Sequence, residues 1–281
     1  MAIEFGAGAA GVAAAAWVGK TVFTPILTEM GTDLAERYSA RRQRNATRIM
    51  HVASEKLGDD LSSHGEVSGR VGMRVLEEGS WCDAPVMAEY FGGILAASRS
   101  EDGRNDRGSS WAALVARLSS VDVLMHYLLY DGFRRMLNGT DLNLGLDRDL
   151  ALAEAFFPWS DPDGGILEAF GDVSDAVVAE SITALKRENL IDPKQSFGPR
   201  EFLSERHEID APYSGLVATP SAAGVQLFLW AHGYGSSFLT AFLDSTLAFD
   251  SVEDLPSVSH VGAIAVMKRE REKRVRAEEH P

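Results

Sequence analysis

The 281-residue chain is poor in cysteine, in basic residues and in long apolar runs, and each shortage excludes a class of protein. Cys82 is the single cysteine, so neither an intramolecular disulfide nor a cysteine-based zinc cage is possible. A lone thiol suits a reducing cytoplasm. Lys and Arg number 27 against 41 acids, a formal net charge of −14. Such a surface repels phosphate, and a broad nucleic-acid-coating role is disfavoured. Met1-Ala-Ile-Glu4 lacks the positive stretch of a secretory signal. The longest uncharged segment at the start, Phe5–Gly19, is 15 residues, short of the ~20 that a usual helical span needs. No second candidate span follows, which excludes a polytopic membrane protein.

Catalytic signatures are missing too. The seven histidines show no HExxH, and Gly233-Tyr-Gly-Ser-Ser237 is not Gly-x-Ser-x-Gly. Cys82 has no basic neighbour in sequence to lower its pKa. Gly6-x-Gly8-x-x-Gly11 matches a dinucleotide fingerprint by letters only, since no strand precedes it. Gly19-Lys20-Thr21 echoes a P-loop whose first glycine should fall at Ala14. Asp161-Pro-Asp-Gly-Gly165 opens like a calcium loop, but Gly165, Ile166 and Asp172 stand at the fifth, sixth and twelfth positions, so a plain turn is expected. The expectation is a protein with no catalytic, cofactor or metal site.

What is present is mainly helical patterning. The Ala/Gly-rich segment 1–22 offers Gly8, Gly11 and Trp17 either to a membrane or to a second copy, through close small-residue packing. Residues 23–118 read as a helical domain. Its first helix runs from Thr24-Pro25 to Leu57, with Gly58 placed as a helix stop. Arg37, Arg41, Arg44 and Arg48 recur on this helix at spacings of 4, 3 and 4. They form a basic face that suits either pairing with the protein's own acids or an anionic surface, and the apolar run just before it favours a membrane surface. Further helices are expected at Val71–Glu78, from Asp83 to about Ser98, and at Trp111–Leu118, with exposed loops at 59–69 and 98–110.

Residues 119–250 read as a second domain. Ser119-x-x-Asp122 resembles a capping box and opens a helix that closes at Asn138-Gly139. An acidic stretch follows, nine acids and one base between Thr140 and Asp175. Then come a helix over Val173–Leu190, a strand over Tyr213–Ala218, and a helix from Thr219-Pro220 to Gly233. Residues 251–281 are expected to hold a short strand, Ser257–Met267, and a basic polar tail with six bases in Lys268–Arg276.

Two resemblances arise from these residues. Tyr90-Phe-Gly-Gly-Ile-Leu-Ala-Ala-Ser98, a polar loop, and Leu118-Ser-Ser-Val-Asp122 resemble the paired helix motifs of the Abi-alpha-like family of bacterial abortive-infection proteins. The segment Gly31–Asn45 is similar to that family's early helix, and the likeness covers about residues 25–245. The family's usual asparagine is replaced here by Gly92 or Gly93, and its proline by Ser120. The resemblance implies phage defence through host arrest or death. It carries no catalytic residue over to this chain. Separately, Leu185–Ile191 followed by Gly215–Leu227 looks like a winged helix, with Ser119–Leu137 as its first helix. Its recognition helix, about Ser174–Asn189, carries Asp175, Glu180 and Glu188 against Lys186 and Arg187, which speaks against DNA. The expected fold is thus mainly α, a helical domain and then a winged-helix-like α+β half with two or three short strands. The expected function is a non-enzymatic abortive-infection protein, cytoplasmic and acting at the inner face of the membrane. The alternative is a winged-helix-like binding or scaffold module for a protein or nucleic-acid partner. Expected partners are a membrane surface or a second copy through the N-terminus, and a protein; nucleic acid is disfavoured.

Overall fold

The computed structural model describes residues 34–58, 65–249 and 255–279, and the side chains of 34–38 and 278–279 lie outside that description. Among the described residues the chain is mainly helical, 57% helix, with two small antiparallel sheets of 2 and 4 strands. It divides into two compact units. Unit 1 is residues 1–120 with 229–236, and unit 2 is residues 121–228 with 237–281.

Unit 1 is built around a hidden helix. Its elements are α1 (Leu34–Leu57), β1 (Glu66–Val67), α2 (Gly69–Gly79), α3 (Pro85–Ala97), β2 (Arg99–Ser100) and α4 (Gly108–Val115). Asn45, Ala46, Ile49, Val52 and Ala53 form the buried stripe of α1, at the spacing of one helix face. α3 starts at Pro85, where a missing N–H costs nothing, and buries 11 of its 13 residues. A helix apolar all round belongs inside a core.

Two glycines let the backbones approach α3. A methyl at Gly92 would lie 2.6 Å from Val52 Cγ1 and 2.9 Å from the Ile49 carbonyl. At Gly93 it would strike the main chain of Ala231. Lys56 and Glu89 join α1 to α3 at 2.9 Å, each with 15% of its side chain exposed. The segment 98–110, expected to be all loop, begins with β2, which pairs antiparallel with β1 (Glu66↔Ser100, Val67↔Arg99).

Unit 2 follows the order α5 (Ser120–Leu137), α6 (Asp147–Leu152), β3 (Ala155–Pro158), α7 (Ile166–Phe170), α8 (Asp175–Arg187), β4 (Ser196–Gly198), α9 (Arg200–His207), β5 (Gly215–Ala218) and α10 (Ala222–Ala231), the last three residues of which belong to unit 1. β6 (Gly262–Ala263) and α11 (Ile264–Glu279) complete it. Its sheet runs β4-β5-β3-β6, all neighbours antiparallel. Phe156 pairs with Val217, and Phe197 with Leu216. Phe156, Val217, Leu203, Ile209 and Ile264 close one core cluster, with Met267 against it. A second centre is aromatic: Tyr130 stacks with Phe228 at 6.1 Å and meets Phe133 and Phe242 edge-on. Burial of each such ring stabilises the fold by about 1.5–3 kcal/mol.

Three expectations about local structure change. The strand anticipated over Ser257–Met267 shrinks to Gly262–Ala263, and the expected polar tail is the helix α11. Ile264 and Met267, three apart, both reach the Phe156 cluster, which is helical spacing. Arg271 and Arg274 both meet Asp210, and Lys268 meets Glu208. Finally, β4 and α9 fill a gap in which the sequence pattern predicts no element, and β3 lies inside the acidic stretch.

Candidate functional site

The arginine helix is anchored at its base by one aspartate. Asp83 lies just before α3, and its carboxylate accepts from Arg41 Nε at 2.8 Å and from Arg41 Nη2. Asn45 Nδ2 donates to the same carboxylate at 2.9 Å and to the Ser80 carbonyl at 3.0 Å. Arg48 Nη1 reaches the Asp83 carbonyl at 3.0 Å. Arg42 lies 4.4 Å over the ring of Trp81 and donates to Ser80 Oγ. Arg41 and Arg48, two turns apart on the helix, therefore converge on one residue. Arg44 is exposed, as are Ala40, Gln43 and Thr47 beside it on α1. Arg37 lies on the described backbone of α1, its side chain outside the described set. Gly8, Gly11 and Trp17, the candidate membrane or oligomer residues, lie outside the described residues. Among the described residues no single helix is long and apolar enough to cross a membrane.

In unit 2 a buried polar column ties α5 to α10. Tyr130 Oη donates to the Leu190 carbonyl at 2.6 Å and accepts from the Ser221 N–H at 3.0 Å. His126 lies in a fully buried position beneath it, stacked on Tyr130 at 4.3 Å, with Nε2 3.2 Å from the Gly224 carbonyl. Burial pushes the His126 imidazole down to about 3, so it is neutral, and the same desolvation raises the Tyr130 phenol. Both are core residues, which for His126 agrees with its place in an apolar helix. The outward face of α8 includes Asp175, Val177, Glu180, Thr183, Lys186 and Arg187, a mixture of both charges around an exposed valine. Asn189 adopts a left-handed φ of 58° and stops the helix.

The third feature joins the Asp161 turn to a histidine that no pattern in the sequence connects with it. The turn after β3 holds Asp161, whose side chain is fully covered. Its Oδ1 accepts the Asp163 N–H at 3.0 Å and its carbonyl accepts the Gly164 N–H at 2.8 Å. The second oxygen, Oδ2, lies 2.8 Å from Nδ1 of His260, which comes from the segment before β6. That segment is held to the turn by the Ser259 N–H donating to the Gly164 carbonyl at 2.7 Å. The hydrogen bond from His260 lowers the Asp161 carboxyl, and the same contact raises the imidazole. Asp161, Asp163 and His260 thus place one donor atom each within 4.8 Å of one another. Asp161-Pro-Asp reads as a turn in the sequence and is one. No spacing rule reaches His260, 99 residues from Asp161.

No protein-family profile, curated protein or solved structure matches this chain.

Proposed function

We propose that the chain is a non-enzymatic abortive-infection protein that acts by binding, through a winged-helix-like module in unit 2, and that its preferred ligand is another protein. One observation carries the binding reading: the order of elements in unit 2. A helix (α5), a short helix (α6), a strand (β3), two helices (α7, α8), a strand (β4), a helix (α9) and a returning strand (β5) follow one another, and β5 lies between β4 and β3. That order supports a winged-helix reading with two insertions, α6 before β3 and α9 in the connection between the last two strands, where a simple wing would be. In this reading α8 is the recognition helix. Its outward face has acids at Asp175 and Glu180, bases at Lys186 and Arg187, and an exposed Val177. Mixed charge around an apolar residue suits a protein better than a phosphate backbone.

The phage-defence setting rests on the resemblance of Tyr90–Ser98 and Leu118–Asp122 to the abortive-infection motifs. Those residues belong to α3 and to the α4–α5 junction, so the likeness concerns packing, and it fits an effector without a reaction centre. In the same reading the N-terminal run, with Gly8, Gly11 and Trp17, meets lipid or a second copy, and Arg44 with Arg37 contributes an anionic-surface contact at the inner face of the cytoplasmic membrane.

The test is a phage challenge of cells carrying the intact gene, a deletion of residues 1–19, or a double substitution on α8 (Val177→Glu, Glu180→Lys). Survival of the culture at low phage dose and collapse at high dose is expected for the intact gene, with loss of protection in the α8 variant. A broad phage panel without protection would remove the phage-defence reading. Protection that survives the α8 change, in a variant with unaltered folding, would remove the binding face. The deletion reports on the N-terminal contact alone.

A further inference from the structure

We propose that Asp161, Asp163 and His260 form a binding site for a divalent transition-metal ion of the zinc or manganese class, which clamps the β3–α7 turn to the segment leading into β6. Such a site goes beyond the binding role proposed above and does not depend on it.

Three observations support it. The donors are of the right kinds, two carboxylates and one imidazole, a mixed oxygen and nitrogen set that suits zinc or manganese better than calcium or magnesium, which take oxygen alone. Their atoms lie within 4.8 Å of one another. Tetrahedral bonds of about 2.1 Å put neighbouring donors about 3.4 Å apart, so the exposed side chains of Asp163 and His260 must rotate to bring all three donors onto one ion. The contact of Asp161 Oδ2 with His260 Nδ1 is 2.8 Å, a little shorter than that separation. On binding, the ion takes the place of the proton shared by these two atoms, and that proton leaves to solvent.

The second observation is that the least mobile donor is already oriented. Asp161 is fully covered, and the Asp163 N–H holds its Oδ1 while Oδ2 is turned toward His260. The carboxylate is thereby fixed before any ion arrives, as in sites where a hydrogen-bonded neighbour orients a ligand. Third, the two ligand-bearing segments are joined by the main-chain bond from Ser259 to Gly164, 2.7 Å long, next to the donors. Asp163 and His260 are exposed, which leaves an entry path and open positions for water. Three protein ligands with open positions make a site of modest affinity whose effect is to stabilise the folded unit.

The experiment titrates zinc, manganese, calcium and magnesium chlorides into the metal-stripped full-length protein by calorimetry, with thermal unfolding in parallel. Saturable binding of zinc or manganese, one ion per chain, is expected, together with a raised unfolding temperature. Asp163→Ala and His260→Ala should each lose about tenfold or more in affinity. Because both side chains are exposed, these variants should fold, and the circular dichroism spectrum checks that they do. His51→Ala is the control, since His51 makes only an exposed pair with Glu55, and it should leave binding unchanged. The proposal is overturned if no ion binds with saturation. It is overturned equally if His260→Ala and Asp163→Ala bind as the parent does, or if calcium and magnesium bind as tightly as zinc and manganese.

Discussion

A single methyl group has opposite consequences at two glycines. At Gly224, on α10, it would collide with Tyr130 Oη and lie against the Leu190 carbonyl, two atoms already locked to each other by a 2.6 Å hydrogen bond. Neither can retreat without breaking the polar column. Gly224→Ala should therefore cost about 1–3 kcal/mol, the range for overpacking a filled core. At Gly72, in the middle of α2, nothing lies within 4 Å of the added methyl. There the gain in helix propensity should dominate, and Gly72→Ala should stabilise by about 0.5–1 kcal/mol. Urea midpoints of the two variants should move to opposite sides of the parent; a shift in the same direction would contradict this packing. His126 is the second residue-scale case. Its imidazole is pushed from 6.5 down to about 3 by burial, so the folded chain excludes a proton that the unfolded chain accepts. Stability is then full above pH 6.5 and falls as acid favours the unfolded state, at about 1.4 kcal/mol per pH unit, until about pH 3. His126→Gln keeps a donor for the Gly224 carbonyl and does not titrate. Between pH 6.5 and 5 the parent should lose about 2 kcal/mol more than this variant, and parallel pH profiles of the two would refute the assignment.

At the scale of the element, α1 is held by a contact that its own pattern does not reveal. The arginine repeat is legible in the sequence, but Asp83, 42 residues away from Arg41, is found only in the fold. Asp83→Ala removes the acceptor of Arg41 and one of the two acceptors of Asn45, while the Arg48 contact, which is to main chain, remains. The Arg41 pair is about half exposed, so its share is small. A loss of about 1 kcal/mol is expected, with faster amide exchange in α1. Arg44→Ala, an exposed position on the same helix, should stay within about 0.5 kcal/mol of the parent. Equal effects of the two would mean that α1 is held by its apolar stripe alone. Elements whose apolar residues recur at helical spacing, α2, α3, α5, α8 and α10, are readable because burial imposes that spacing. β3 is hidden in the sequence because four apolar residues, Ala155–Pro158, sit between acids that dominate the local composition. β4 and α9 are hidden because few of their residues point inward, Leu203 and His207 on α9 and Ser196 on β4. At the C-terminus Val258, Val261, Ile264 and Val266 suggest a strand, yet the bases and acids that follow are strong helix formers, and Ile264 and Met267 share one helix face. The Asp161–His260 contact is beyond the reach of sequence patterns for the same reason as Arg41–Asp83: segments far apart in the chain meet only once the fold has formed.

At the scale of the whole molecule, charge decides between partners. The net charge of −14 sets up repulsion against any polyphosphate, and DNA binding is driven chiefly by the counterions that clustered bases release. Several bases of unit 2 pair with its own acids. Arg271 and Arg274 meet Asp210, Lys268 meets Glu208, Arg135 pairs with Asp131, and Arg187 donates to Glu188. On α8 the acids at Asp175 and Glu180 face the same solvent as Lys186 and Arg187. In the proposed winged-helix reading the acids of α8 oppose DNA, since each one placed against a phosphate costs the attraction of a base. The full-length protein should therefore bind a random duplex no better than the weak non-specific range, a Kd of about 100 μM or more at physiological salt. Fluorescence anisotropy with a labelled duplex, repeated at low salt, measures this directly. Saturable binding at about 1 μM in physiological salt, with a steep salt slope, would show a local basic surface outweighing the global charge and would turn the proposed binding role toward nucleic acid. Flat anisotropy, with binding emerging only when salt is removed, would leave a protein as the proposed ligand of the mixed face of α8.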